Sequence, residues 1–302
     1  MTKSKFSLFV AVLVGFAAIA YAGFDEGEAA YKRGDYATAY KEFKFLADQG
    51  DDDAQWRLGV MYYLGKGVPQ NYIEAVKWYR KAAAQGNSDA ERNLGYMYAN
   101  GEGVPKDEAE AAKWYRKAAE QGNATAQYWL GEMYHYGHGV TQNDTEAVKW
   151  YRKAADQGDA DGEFHLGVMY YGGYGVPQDY AEAFKWFRDA ADQRHVLAQY
   201  NLGLMYHDGE GVAQDYTQAV KWSRKAAEHG YAAAQNNLGV MYWRGEGVPQ
   251  DFVKAHMWYN LAAAQGDAEA RKSRDNLAKR MTPSQIEEAQ RLAREWKPKG
   301  RD

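Results

Sequence analysis

One 36-residue unit recurs six times between residues 53 and 268, without an insertion or a deletion. The dipeptide Leu-Gly marks every copy and begins at Leu58, Leu94, Leu130, Leu166, Leu202 and Leu238. A Met-Tyr pair follows at the same offset each time, first at Met61 and last at Met241. A fixed period between about 20 and 50 residues is typical of stacked-repeat proteins, in which each unit buries its apolar face against its neighbours. Such a fold exposes a long surface rather than a single pocket, which indicates binding as the first hypothesis for function.

Each unit predicts two helices joined by a glycine-containing loop. In the first unit, Ala54, Leu58 and Met61 have the spacing of one face of a helix, which we name helix A. The loop that follows contains two glycines and Pro69, and these residues end a helix rather than extend it. A second helix, helix B, is predicted to begin after Asn71, because asparagine is a good N-cap.

The start of helix B carries a further recurring pattern. The cap column holds only asparagine and aspartate, at Asn71, Asp107, Asn143, Asp179, Asp215 and Asp251. Three residues later, five of the six units have glutamate or glutamine, which predicts a capping box with a side chain returning to the cap amide; Lys254 is the exception. Helix B ends near a glycine in five units, and Arg194 replaces that glycine once. We therefore expect the turn at Arg194 to be the least regular.

Small and large side chains occupy separate columns. Helix A has alanine or glycine in the column of Ala54, and helix B has a tryptophan column made of Trp78, Trp114, Trp150, Trp186, Trp222 and Trp258. Large residues opposite small ones allow two helices to pack at about 8–10 Å. The sequence therefore predicts that the tryptophan column, Trp150 included, lies in the core. Ser223 stands where tyrosine or phenylalanine is expected, which leaves the local packing of that unit open.

The unit closely resembles the Sel-1-like repeat, a relative of the tetratricopeptide repeat with a longer loop between its helices. The resemblance covers most of the chain and is specific, because the loop glycines, Leu-Gly and Met-Tyr coincide in all six copies and Lys-Trp in five. It implies an all-α fold, a right-handed α-solenoid of stacked helix-turn-helix repeats. It also implies an adaptor role in signalling, envelope regulation or host contact.

The two ends differ from the repeats. Residues 1–22 combine Lys3 and Lys5 with an uncharged apolar run and a small-residue cleavage site at Ala20-Tyr-Ala22, which predicts a signal peptide and an exported, periplasmic or secreted protein. An uncleaved membrane anchor is the alternative. Residues 23–52 are predicted to form an N-terminal capping half-repeat. Residues 269–302 are predicted to hold C-terminal capping helices and a tail, because Thr282 begins a Thr-x-x-Gln capping box.

Motifs for chemistry are scarce. The chain has no cysteine, so it has no disulfide, and it contains no metalloprotease, nucleophile-elbow or phosphate-loop motif. His135 and His138 with Glu132 form the one conceivable metal group, and surface histidines are the preferred interpretation. We expect no enzyme activity, cofactor or metal. The net charge of −4 does not indicate nucleic acid binding, and nothing after residue 23 indicates a membrane span.

Helix B carries a basic stripe, represented by Lys77, Arg80 and Lys81 and repeated in later units. Its acidic residues lie at the helix start and its basic ones in later turns, which favours the helix dipole and pairs three or four residues apart. A solvated face is the preferred interpretation, and a groove for a polyanion is the alternative.

Columns four, five, eight, eleven and twelve of the unit, counted from Asp53, vary between copies and lie on one face of helix A. We name this the helix-A face. Its aromatic residues are predicted to bind a partner on the concave side of the solenoid, and they are Trp56, Tyr63, Tyr96, Tyr128, Trp129, Tyr136, Phe164, Tyr171, Tyr200 and Trp243. The alternative is that several of them pack against the adjacent repeat. Trp129 and Tyr136 are least explained by the repeat pattern.

The sequence therefore favours an exported, non-catalytic scaffold that binds a protein or peptide. Two alternatives stay open. One is a β-lactam-binding or hydrolysing enzyme, as in cysteine-rich relatives, although their paired cysteines are missing here. The other is a cell-wall glycan-binding protein that uses the aromatic residues as stacking platforms. The sequence leaves the partner and the oligomeric state undetermined.

Overall fold

The computed structural model describes residues 23–300 and divides the chain into two compact units, residues 1–143 and residues 144–302. The predicted signal peptide lies outside the described residues. Every regular element between residues 23 and 300 is a helix. In the first unit, α1 includes residues 23–33, and the others are α2 (Tyr36–Asp48), α3 (Asp52–Leu64), α4 (Tyr72–Ala83), α5 (Ser88–Asn100), α6 (Glu108–Glu120) and α7 (Ala124–Tyr136).

The second compact unit continues the same series of paired helices. Its helices are α8 (Asp144–Ala155), α9 (Ala160–Gly172), α10 (Tyr180–Asp192), α11 (Val196–Asp208), α12 (Tyr216–Glu228), α13 (Ala232–Arg244), α14 (Phe252–Ala264), α15 (Ala268–Ala278) and α16 (Pro283–Glu295). Consecutive helix-turn-helix repeats make this an all-α fold of the solenoid class, as predicted. No helix among residues 23–300 is long and apolar enough to cross a membrane.

Helix B begins at the predicted residues but is capped in a different way. The Asn71 side chain accepts a hydrogen bond from the amide of Glu74 (3.1 Å), which is the predicted N-cap. The amide of Asn71, however, donates to the carbonyl of Tyr62 in the preceding helix A (2.9 Å), and Glu74 pairs with Lys77 (2.6 Å). The same amide-to-tyrosine bond recurs in all six units. The predicted capping boxes of helix B are therefore wrong, because a neighbouring helix already satisfies the cap amide.

The capping box predicted at the C-terminal helix is confirmed. Thr282 accepts from the amide of Gln285 (3.3 Å), and the Gln285 side chain accepts from the amide of Thr282 (2.9 Å). Pro283 occupies the first helical position of α16. Trp296 follows this helix and lies edge-on to Trp258, with ring centroids 6.2 Å apart. The apolar face of α16 thereby covers the end of the last repeat.

The long loop between the helices is fixed by its second glycine. Gly67 has φ +76°, and a Cβ atom there would lie 2.5 Å from the carbonyl oxygen of Tyr36. The loop therefore lies directly on the backbone at the start of an earlier helix, and no residue with a side chain fits without a shift.

The turn at Arg194 is regular, contrary to the sequence-based expectation. Arg194 adopts φ +69° and is the single non-glycine residue with positive φ between residues 23 and 300. The turn keeps the hydrogen bond from the amide of His195 to the carbonyl of Ala190 (3.1 Å), like its counterparts. A Cβ atom at the equivalent Gly86 would have no neighbour within 4 Å. An arginine in this turn therefore meets no steric clash, and its one unfavourable term is the left-handed backbone conformation.

The residue after each tryptophan, rather than the tryptophan itself, forms the centre of each repeat. Tyr79, Tyr115, Tyr151, Phe187 and Tyr259 are all buried. The glycine of Leu-Gly packs directly on this buried ring. In the second repeat, for example, a Cβ atom on Gly95 would lie 2.7 Å from the ring of Tyr115, so no larger residue fits without a shift. Large side chains do face small ones, as predicted, but the large residues are those that follow the tryptophans.

The tryptophan column lies at the edge of the core. Trp78, Trp222 and Trp258 are buried, whereas Trp114, Trp150 and Trp186 are half-buried. The prediction that Trp150 lies in the core is therefore wrong. Its ring is covered on one side by Lys153, whose Nζ lies 4.0 Å from the centroid. One step of about 100° along the helix separates this column from the buried tyrosines.

Ser223 takes the place of the central aromatic residue in the fifth repeat, beside Gly203. The Cβ position of Gly203 lies 3.2 Å from the backbone nitrogen of Ser223 and 3.4 Å from the carbonyl oxygen of Ala219. In the first repeat, the nearest atoms to the equivalent position belong only to the tyrosine ring. Backbone atoms of α12 are therefore among the nearest neighbours of this glycine in the fifth repeat, whereas ring atoms hold that place in the first.

Candidate functional site

The basic stripe of helix B is held by partners within the chain. Lys113 pairs with Glu110 (2.8 Å), the Nζ atom of Lys117 lies 4.1 Å from the ring centroid of Trp114, and Arg116 donates to the hydroxyl of Tyr134 (2.5 Å). Equivalent contacts recur in several units, including Arg80 to Tyr98 and Arg224 to Tyr242. The stripe is therefore a structural feature, and in four of the six repeats its arginine binds the following helix A.

The aromatic residues of the helix-A face differ widely in exposure. Tyr96, Trp129, Tyr136 and Tyr171 are exposed, whereas Trp56, Tyr63, Tyr128, Tyr200 and Trp243 are half-buried. Phe164 is buried, with 8% of its surface exposed. The prediction that Phe164 is exposed is therefore wrong.

Column four explains this difference. The ring of Phe164 stacks on His195 with centroids 4.5 Å apart, and it also packs against Phe187 at 5.7 Å. Tyr200, in the same column, packs against Tyr231 at 5.0 Å. His195 and Tyr231 occupy the cap positions of the next helix A. Two of the four aromatic residues in column four, Phe164 and Tyr200, therefore pack against the adjacent repeat, as the alternative interpretation expected.

In the compact unit of residues 1–143, the exposed aromatic residues lie on two successive A helices, α5 and α7, and the half-buried Tyr63 lies on α3. Tyr63 and Tyr96 meet edge-on with centroids 6.1 Å apart, and burial raises the pKa of the Tyr63 hydroxyl well above its usual value. Trp129 is 38% exposed and stacks on the buried ring of Tyr115 (6.3 Å, 19° between planes). Tyr136 is 55% exposed and lies two turns further along α7, about 10 Å from Trp129 along the axis.

In the compact unit of residues 144–302, the aromatic residues of the helix-A face make more contacts within the chain. The Tyr171 hydroxyl donates to Oε2 of Glu210 (2.6 Å), and this bond raises the pKa of Tyr171 to about 12. His207 lies between Asp208 (2.6 Å) and Glu246 (3.3 Å). Trp243 has the Arg244 guanidinium 5.7 Å from its ring centroid. The aromatic residues of this unit are thus largely part of polar networks.

The helix-A face opens into a cavity at two places where column five holds a short polar residue. Trp129 covers Tyr115, and His165 covers Tyr151 with centroids 5.4 Å apart. Asn93 and Ser273 occupy the same column beside Tyr79 and Tyr259, and a cavity lies at each of these places. The repeat pattern of the sequence does not predict these cavities. A short polar residue in column five beside a buried aromatic residue of the preceding helix B is common to both cavities, although Asn201 beside Phe187 has the same pattern.

The two cavities differ in size and charge. The cavity of the first unit has a volume of about 190 Å³ and is lined by Tyr63, Tyr79, Arg92, Asn93, Tyr96 and Met97. The cavity of the second unit has a volume of about 380 Å³ and is lined by Val240, Trp243, Arg244, Tyr259, Ser273, Asn276, Leu277 and Arg280. Both combine an apolar base with a few polar groups, which is the usual composition of a binding site.

The titratable groups do not form a catalytic arrangement around either cavity. Burial raises the pKa of Glu163 to about 7 and also raises the pKa of Glu91, and both carboxyls accept hydrogen bonds from glutamines that end helix B. Neither carboxyl lines one of the two cavities. Among residues 23–300, no group of three or more histidine, aspartate or glutamate side chains is arranged to hold a metal ion. His138 lies 3.6 Å from Glu108 and more than half of its side chain is exposed.

Comparison with known proteins agrees with this architecture. The model of the Sel1 repeat matches residues 52–87, 88–123, 124–159, 160–195, 196–231 and 232–267. These matches cover more than half of the chain, so the protein belongs to the Sel1 repeat family. Repeats of this family are a scaffold fold that commonly mediates protein–protein interaction.

Solved structures with similar sequences are Sel1 repeat proteins as well. A Sel1 repeat protein from Oxalobacter formigenes is 34% identical, with 80% of this chain and 96% of that chain covered and a TM-score of 0.71. A protective antigen of uropathogenic Escherichia coli strains is 32% identical, covering 92% of this chain and 76% of that one, with a TM-score of 0.41. An immunity protein from Pseudomonas aeruginosa is 23% identical (76% and 82% covered, TM-score 0.43). No curated protein matches the chain.

Proposed function

We propose that the protein is an exported, non-catalytic scaffold that binds a protein or peptide partner through the helix-A face. The observation that carries the proposal is the pair Trp129 and Tyr136, which are both exposed on α7 although the repeat pattern requires neither. Tyr96 extends the same kind of surface on α5. Exposed tryptophan and tyrosine side chains concentrate binding energy at protein interfaces, because they bury a large rigid area on contact.

The proposed site excludes the stripe on helix B. Its lysines and arginines already have partners within the chain, so a ligand would have to break those contacts. Phe164 is also excluded, because its ring is buried beside His195. The residues Trp56, Tyr128 and Tyr200 are half-buried and so have less surface to offer as anchors than Trp129 and Tyr136.

The repeat offers substitutions that remove the anchors and keep the fold. Asparagine stands in column five at Asn93 and in column twelve at Asn100, the columns of Trp129 and Tyr136. The double variant Trp129→Asn/Tyr136→Asn therefore places in the third repeat two residues that the second repeat already accommodates. Truncating anchors of this kind costs about 2 kcal/mol each, so capture of the partner is expected to fall at least a hundredfold.

The experiment is a pull-down from a cell-envelope extract, followed by affinity measurement with the captured protein. Ile73→Asn is the matched control, because Ile73 is also apolar and exposed in the first unit but lies on helix B. Unchanged capture by the double variant would refute the proposed site. Loss of capture on neutralising Lys149, Arg152 and Lys153 instead would assign binding to the helix-B stripe.

Export rests on the segment from Lys3 to Ala22, with its positive start, apolar run and cleavage site. N-terminal sequencing of the protein from the cell envelope tests it. A mature chain beginning at residue 23 is expected, and an intact N-terminus would indicate an anchor instead.

A further inference from the structure

The cavity of the second unit combines an apolar base with two guanidinium groups. Val240, Trp243 and Leu277 form apolar walls, and Arg244 and Arg280 belong to the same lining. None of the eight lining residues is acidic. We name this the arginine cavity.

Neither arginine is strongly neutralised by a neighbour. Arg244 lies 3.5 Å from Glu246, a long contact, and Glu246 also binds His207. Arg280 lies 5.6 Å from the ring of Phe252 and makes no ion pair with another residue of the range 23–300. Arg92 in the smaller cavity likewise has one carboxylate, that of Asp89, at 3.5 Å, and the lining of that cavity contains no second arginine.

The helix beside the cavity is basic as well. Residues 268–280 carry five lysines and arginines and two acidic residues, although the whole chain has a net charge of −4. Lys272 and Lys279 occupy columns four and eleven of the helix-A face, so they lie on the same side of α15 as Ser273 and Asn276 of the cavity. Positive charge is thus concentrated on the face that carries the opening.

From this charge and shape we infer that the arginine cavity binds an acidic peptide segment in which a glutamate or aspartate is next to a large apolar residue. The apolar side chain would fill the space between Trp243 and Leu277, and the carboxylate would pair with Arg244 and Arg280. Guanidinium groups match carboxylates in geometry as well as in charge. A volume of about 380 Å³ accommodates a side chain and its backbone but not a folded element. The inference rests on the proposed scaffold function and specifies the chemistry of its partner.

The test is selection from a random-peptide phage library against the mature protein. The expected result is enrichment of aspartate and glutamate beside leucine, phenylalanine or tryptophan. The enriched peptide, synthesised with a fluorophore and an amidated C-terminus, should bind at least tenfold more weakly to Arg244→Gln/Arg280→Gln than to the wild-type protein in fluorescence anisotropy. Its affinity should also fall as salt is raised, because the pairs are partly exposed.

Arg188→Gln serves as the matched control, because Arg188 is an exposed arginine of the same unit that lies on helix B and outside the cavity. Peptides without an acidic preference, or an acidic preference that survives in the double arginine variant, would overturn the inference. Binding that requires a free C-terminal carboxylate would overturn it too, because the terminus and not a side chain would then be recognised.

The outcome also separates this inference from the proposed function. Non-acidic peptides whose binding is lost in Trp129→Asn/Tyr136→Asn would refute the acidic partner and support the helix-A face as a peptide site. An absence of any enriched peptide would overturn the inference, while capture of a folded partner through Trp129 and Tyr136 would still support the scaffold.

Discussion

Glu163 should make the stability of the second unit depend on pH. It occupies a buried column in which four of six repeats have glutamine. In that column Gln199, for example, donates its amide to the carbonyl of Ala191 (3.3 Å). A carboxylate has no proton to donate, whereas a protonated carboxyl group does. Burial, followed by the negative charges of Asp189 and Asp159, raises the pKa of Glu163 to about 7, against a bond from Gln193 that lowers it.

The expected size of this contribution to the free energy of unfolding follows from the difference between the pKa values of Glu163 in the folded and unfolded states. Because the folded state holds the proton more tightly, the stabilisation is complete below about pH 4.5 and is lost as the pH rises through about 7. One pKa unit corresponds to about 1.4 kcal/mol, so the upper limit is about 3 kcal/mol, and partial solvent screening reduces the expected value to about 1–2 kcal/mol. Glu163→Gln should remove this dependence, since glutamine donates at every pH.

Urea unfolding of both proteins at pH 5 and pH 8, followed by circular dichroism, measures the effect. The quantity to compare is the free energy of unfolding of the variant minus that of the wild-type protein. This difference should be about 1–2 kcal/mol larger at pH 8 than at pH 5. Comparing the two proteins at each pH cancels the titrations of distant groups that they share. Gln199→Glu is the reciprocal control and should introduce a new pH dependence. An equal difference between wild type and Glu163→Gln at both pH values would refute the reasoning.

Two further substitution pairs test the packing. Tyr115→Ala should destabilise by about 3–5 kcal/mol and Trp114→Ala by about 1–2 kcal/mol, because the tyrosine is buried and the tryptophan is half-buried; equal losses in urea unfolding would contradict this order. Gly67→Ala should cost more than 2 kcal/mol, roughly the sum of left-handed strain and a backbone clash, whereas Gly86→Ala, with positive φ and open space, should cost only about 1 kcal/mol. Equal losses of melting temperature for the two alanine variants would show that the loop moves away from the backbone beneath it.

The sequence predicted the repeats, their helices and the N-caps because these depend on residues close together in the chain. It failed where a second helix competes for the same group. The Glu74 side chain was expected at the amide of Asn71, but the carbonyl of Tyr62 occupies that amide. Nothing within helix B distinguishes the two arrangements, because the competing acceptor belongs to helix A.

The candidate site was predictable only in part for a similar reason. Variation between repeats identified the helix-A face, and Trp129 and Tyr136 are exposed there. Variation alone did not reveal that Phe164 is buried, because its exposure depends on His195 in the next cap. The cavities depend on pairs from neighbouring helices, such as Tyr79 with Asn93, and neither residue indicates a cavity by itself.

The bonds that join one helix pair to the next have a consequence for how the chain folds. Arg80 and Tyr98 are 18 residues apart, and Gln85 and Gln55 are 30 apart, and these separations recur along the chain. The partners of these hydrogen bonds are therefore present once the next segment of about one repeat length has been synthesised. A chain with such short separations has a low contact order, which favours rapid folding. Each compact unit could thus assemble progressively during synthesis, with little need to wait for distant segments.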